Sequence, residues 1–65
     1  MTKNQAAADQ TEAANLVRIH AEIVAQFAAG TIDGRMLDLG LRSTFRRARS
    51  LSKAARETFN VGIRA

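Results

Sequence analysis

Apolar residues recur along this chain every three or four positions, in two blocks separated by a glycine-flanked turn. That spacing returns side chains to one side of an α-helix, where about 3.6 residues make a turn. In the first block Leu16, Ile19, His20, Ile23 and Phe27 share a side that Val17 and Val24 widen, predicting a helix over about residues 5–29. Thr11 or Asp9 is a candidate cap for its strongly patterned part, with Glu12 suited to the positive helix N-terminus. Gly30 is placed to take the left-handed conformation that ends a helix.

Gly30-Thr31-Ile32-Asp33-Gly34 reads as the turn, with Thr31 or Asp33 able to cap the second helix. The second block predicts a helix over about residues 35–60, with Leu37, Leu41, Thr44, Ala48, Leu51, Ala55 and Phe59 on its apolar side. Gly40 interrupts it at a cost of up to ~1 kcal/mol relative to alanine. It marks a kink, a close helix crossing or a break into two helices. Proline is absent, and no alternation of strand length occurs. The expected fold is therefore all-α, an antiparallel helical hairpin in a single domain over residues 1–65, with three shorter helices as the alternative. Residues 2–5 and 61–65 are expected to fray or to be ordered by a partner. A ribbon-helix-helix needs a strand before the first helix, and a helix-turn-helix needs shorter blocks than these.

Size changes the picture. A 65-residue chain folding alone buries only about 60% of its unfolded surface. It has no cysteine for a disulfide and no His/Cys cluster for a structural metal. Association is the remaining source of stability, so a homodimer completing a four-helix bundle is expected. Leu16, His20, Ile23, Val24 and Phe27 form its interface in this reading. Ala14, Ala21 and Ala28, with Ala25 beside them, give the first helix a second closely packable face. No segment has the ~18 apolar residues of a membrane span and no signal-peptide pattern comes after Met1, so a cytoplasmic location is expected.

The net charge of +4 is unevenly divided. Residues 1–34 carry two basic groups against four acidic ones, and residues 35–65 carry eight against two. Five of the eight, Arg42, Arg46, Arg49, Lys53 and Arg56, repeat at spacings of 4, 3, 4 and 3. On one continuous helix they form a ridge about 21 Å long. A solubilising face interleaves acids with bases, because like charges one turn apart repel. Here only Asp38 and Glu57 offer relief, which points to an anionic partner. Arg35, Arg47 and Phe45 are secondary candidates, although the phenylalanine also fits the core edge.

Catalysis finds no support in these residues. His20 is the one histidine, cysteine is absent, and neither Gly30 nor Gly34 belongs to a phosphate-binding loop. No metal site, cofactor or small-molecule substrate is expected. The leading expectation is a small non-enzymatic regulator whose basic helix binds the backbone of DNA or structured RNA. The alternative is an adaptor or inhibitor, of the kind phages and plasmids encode, that docks the same helix on an acidic protein surface. A structural subunit of a larger assembly is the third reading.

Overall fold

The computed structural model describes residues 2–65, and among them it is all-helical, with three helices and no strand. The helices are α1 (Lys3–Ala28), α2 (Gly34–Arg49) and α3 (Lys53–Arg64). The first boundary differs from the expected one. Thr2 is the N-cap of α1, its hydroxyl oxygen accepting from the Gln5 N–H at 3.1 Å. Asp9 and Thr11 lie inside the helix, because the alanines at 6–8 are strong helix formers and extend it toward the N-terminus. The end of α1 matches the pattern closely. Gly30 has φ 80°, and its N–H and that of Thr31 donate to the carbonyls of Phe27 and Gln26, at 3.0 and 2.9 Å. That pair of reversed bonds satisfies carbonyls the helix leaves open.

Asp33 then caps α2, its Oδ1 accepting from the Met36 N–H at 2.8 Å. Gly40 of α2 lies against Ile23 of α1, and further on Arg47 reaches Glu12. Chain direction along α2 is therefore opposite to α1. Of the three readings of Gly40 the close crossing holds, since α2 runs unbroken through it.

The single long second helix is corrected to two. After Arg49 the chain turns through Ser50, Leu51 and Ser52 and starts α3. The Ser50 hydroxyl donates to the Arg47 carbonyl at 2.7 Å, and Leu51 N–H donates to the Ala48 carbonyl at 3.2 Å, tightening the last turn of α2. Ser52 caps α3, its hydroxyl facing the Ala55 N–H at 3.4 Å. Serine competes for backbone hydrogen bonds in this way, so a Ser-Leu-Ser run can end one helix and begin another. The new helix runs back beside α1, from Ser52 at Asp9 to Gly62 at Val17. Residues 61–64, expected as a frayed tail, are the last turn of this packed helix.

All three helices turn toward a small core of Ala13, Leu16, Ala48, Ala55 and Phe59, flanked by Val17, Ile19, Leu51 and Ile63. Phe59 and Leu16 are its large members, each 1% exposed. Burial of each contributes about 2–3 kcal/mol. Thr44 is the buried polar residue, and its hydroxyl donates to the Gly40 carbonyl at 2.9 Å. Part of the expected interface is used inside the chain. Leu16 is enclosed within its own chain, Ile23 covers Gly40 and His20 meets Phe45. Val24 and Phe27 alone of that set remain largely exposed.

Two glycines give opposite predictions. A Cβ on Gly62 would fall 2.5 Å from Val17 Cγ2 and 3.0 Å from its Cγ1, both close to a backbone that cannot retreat. Gly62→Ala should cost about 1–3 kcal/mol by overpacking, more than its helix-propensity gain of up to ~1 kcal/mol. A Cβ on Gly40 meets the far end of Ile23, Cδ1 at 3.1 Å, which can rotate aside. Gly40→Ala should therefore leave the melting temperature unchanged or raise it by a few degrees. Thermal melts of the two variants check this, and a Gly62→Ala protein as stable as the native one would rule out the close α1–α3 crossing.

Candidate anion-binding surface

On α2, Arg42, Phe45, Arg46 and Arg49 occupy positions i, i+3, i+4 and i+7 and so share one face. Together they line an open depression of about 380 Å³. A second depression of about 220 Å³ lies where α2 and α3 diverge, lined by Phe45, Ala48 and Arg49 from one helix and Arg56, Phe59 and Asn60 from the other. Phe45 and Arg49 belong to both, so the two depressions adjoin. The elbow at residues 50–52 has thus bent the expected straight ridge. Arg42, Arg46 and Arg49 lie along the α2 side of the resulting cleft, and Arg56 of α3 lines its second part together with Arg49.

The remaining predicted residues fall outside this cleft. Lys53 opens α3 at the elbow and lines neither depression; Arg35, in the first turn of α2, is at the far end. Arg47 is on the other side of α2, its Nη2 donating to Glu12 Oε1 of α1 at 2.6 Å. Asn60 joins the cleft without having stood out in the sequence, because a polar residue near a helix end carries no pattern of its own. Phe45 occupies a more central place than the ridge flank. It is 37% exposed and makes edge-to-face contacts with His20 of α1 and Phe59 of α3, at centroid distances of 6.0 and 5.5 Å. Such pairs contribute about 0.5–1.5 kcal/mol each. They fix the ring as the floor of the cleft and tie all three helices to it.

The electrostatics are one-sided. No carboxylate lines either depression. Asp38 pairs with Arg42 at 3.1 Å, but both are exposed, and an i,i+4 pair of that kind contributes only about 0.3–0.5 kcal/mol. Glu57 lies with Gln10 and Val61 on the opposite side of α3. Among the described residues Arg46, Arg49 and Arg56 make no ion pair. Arg46 and Arg49 also favour the negative end of the α2 dipole, a local reason for cations there. Arg42, two turns before that end, and Arg56 on the next helix have no such reason.

A permanently charged guanidinium offers forked donors that match phosphate and carboxylate oxygens. Four of them around an aromatic floor can hold an extended anion. Among the described residues there is no cluster of metal-ligating side chains, and no helix is long and apolar enough to cross a membrane. Comparison of the chain with protein families, with characterised proteins and with solved structures returns no match.

The acids of α1 set the cleft from behind. Asp9 Oδ2 accepts from the Ser52 N–H at 2.8 Å, at the positive end of α3, and Glu12 holds Arg47 one turn along. Asp9→Ala should cost about 1.5–3 kcal/mol, the loss of a hydrogen bond to a charged group in a half-buried place. Glu12→Gln should cost less than about 1 kcal/mol, because its partner is largely exposed. Urea unfolding of both variants checks the order, and an Asp9→Ala effect no larger than that of Glu12→Gln would contradict it.

Proposed function

We propose that this chain is a small non-enzymatic regulatory protein of the cytoplasm that holds the backbone of DNA or structured RNA in the cleft between α2 and α3. The observation that carries the reading is that Arg42, Arg46, Arg49 and Arg56 line two adjoining depressions, sharing Phe45 and Arg49, that no carboxylate lines. Gathering four cations there opposes their mutual repulsion, and an anionic partner removes that cost. Phosphates suit the site because consecutive charges along a strand match consecutive guanidiniums. Sequence readout through base edges would be slight, with Asn60 the polar non-charged side chain in the cleft.

A second reading rests on Phe45. An aromatic ring open to solvent amid arginines is also the composition of a protein-binding hot spot. Under that reading an acidic protein surface with an apolar residue to place over the ring is the partner, and the chain is an adaptor or inhibitor.

Salt titration separates the two. If all four arginines contact phosphates of B-DNA, log K should fall with log salt at a slope near −3.6, from about −0.9 per contact. Arg46→Ala with Arg49→Ala should flatten the slope by about 1.8, and Lys53→Ala should alter it far less. Fluorescence anisotropy with labelled duplex DNA and hairpin RNA over about 50–300 mM salt measures both. No binding at the lowest salt would remove the nucleic-acid reading and leave the protein-docking one.

A further inference from the structure

The helices differ greatly in length, and this leaves a surface unpartnered. At 1.5 Å per residue the 26-residue α1 is about 39 Å long and the 12-residue α3 about 18 Å. Because α3 starts beside Asp9 and has reached Val17 by Gly62, it ends near the start of the C-terminal third of α1. The apolar stripe of α1 continues past that end. Val17, His20, Ala21, Val24 and Ala28 of α1 and Ile63 of α3 line an open step of about 340 Å³, and no Asp, Glu, Lys or Arg side chain borders it. Val24 is 42% exposed in the step, and outside it Phe27 of α1 and Met36 and Leu39 of α2 are exposed toward the same end.

We infer that this step is the contact surface for a second copy of the chain, pairing through the C-terminal halves of two α1 helices about a two-fold axis. Two observations select that occupant. The first is area: the chain exposes 4717 Å². A compact monomer of 7.1 kDa exposes about 4,100 Å², so the excess is roughly 600 Å². A stable interface covers about 800 Å² per partner, so the excess approaches one side of a dimer. The second is charge. Two copies at +4 repel, and α2 and α3 carry most of the cations. His20 and Ala65 join the apolar residues of the step, but no Asp, Glu, Lys or Arg side chain lies on it. Two copies can therefore bring this face together without opposing the cations of α2 and α3, and self-complementarity is what a two-fold contact demands. Ala21, Ala25 and Ala28 allow the two backbones to approach closely.

Pairing of this kind does not depend on nucleic-acid binding. Its interface also differs from the expected one, because it excludes Leu16 and Ile23 and adds the C-terminal turn of α3. The experiment is sedimentation equilibrium of the full chain near physiological salt over micromolar to sub-millimolar concentration, with melting curves at both ends of the range. A mass of twice 7.1 kDa and a melting temperature that rises with concentration are expected. Val24→Glu with Ala28→Glu should weaken self-association at least tenfold. Ala8→Glu, also exposed on α1 but outside the step, should leave it unchanged. The concentration dependence of native melting needs no variant, so it decides the matter even if the double variant unfolds. A native chain that is monomeric throughout and melts at one temperature overturns the inference, as does a double variant that associates like Ala8→Glu.

Discussion

One hydrogen bond between backbone and side chain anchors the elbow of this molecule: the Ser52 N–H donates to the carboxylate of Asp9, 43 residues earlier. It fixes the start of α3 against α1, where the exposed N–H groups and positive dipole of a helix N-terminus attract a carboxylate. The serines on either side of Leu51 allow the chain to leave α2, and Asp9 sets where it goes next. Because α3 then runs along α1, Phe59 reaches Leu16 and Ala13, and the core closes around them. With so few buried residues, loss of one directed contact at the elbow is a large part of the whole stability.

The same elbow arranges the charges. Along an unbroken helix the basic residues would form a convex ridge, each cation facing water alone. Folded at residues 50–52, α2 and α3 hold arginines on two sides of a concavity. Two acids of α1 lie at the back of the elbow, where Asp9 and Glu12 have backbone and guanidinium partners. Those two acids thus stabilise the fold, and the cleft of the basic half is lined by no carboxylate. Phe45 connects these roles, since its contacts with His20 and Phe59 fix the floor between the charged walls.

Much of this is legible residue by residue. Gly30 and Asp33 announce the turn through backbone chemistry that acts within three or four positions, and helical spacing shows the apolar sides of the helices. The break after Arg49 is hidden for a physical reason: Thr44, Ala48, Leu51, Ala55 and Phe59 keep helical spacing across it, because both helices present their apolar side to α1. Periodicity cannot distinguish one long helix from two that face the same neighbour. The tie that enforces the break joins α1 to the elbow, a contact no local pattern reveals. Arg47 reads as a binding cation for the same reason, since its partner Glu12 is remote in sequence. Phe45 can be placed on a helix face but not at the centre of a cleft that exists only once the chain has folded back.

The direct test of the elbow is the distance between Phe45 and Phe59. In a continuous helix these residues, 14 positions apart, lie about 21 Å from each other. In the folded-back structure their ring centroids are 5.5 Å apart. Nuclear Overhauser spectra of a chain with labelled phenylalanine rings measure this in solution. Strong cross-peaks between the Phe45 and Phe59 rings are expected. Their absence, with helical signals continuous through residues 50–52, would contradict the elbow and the cleft built on it.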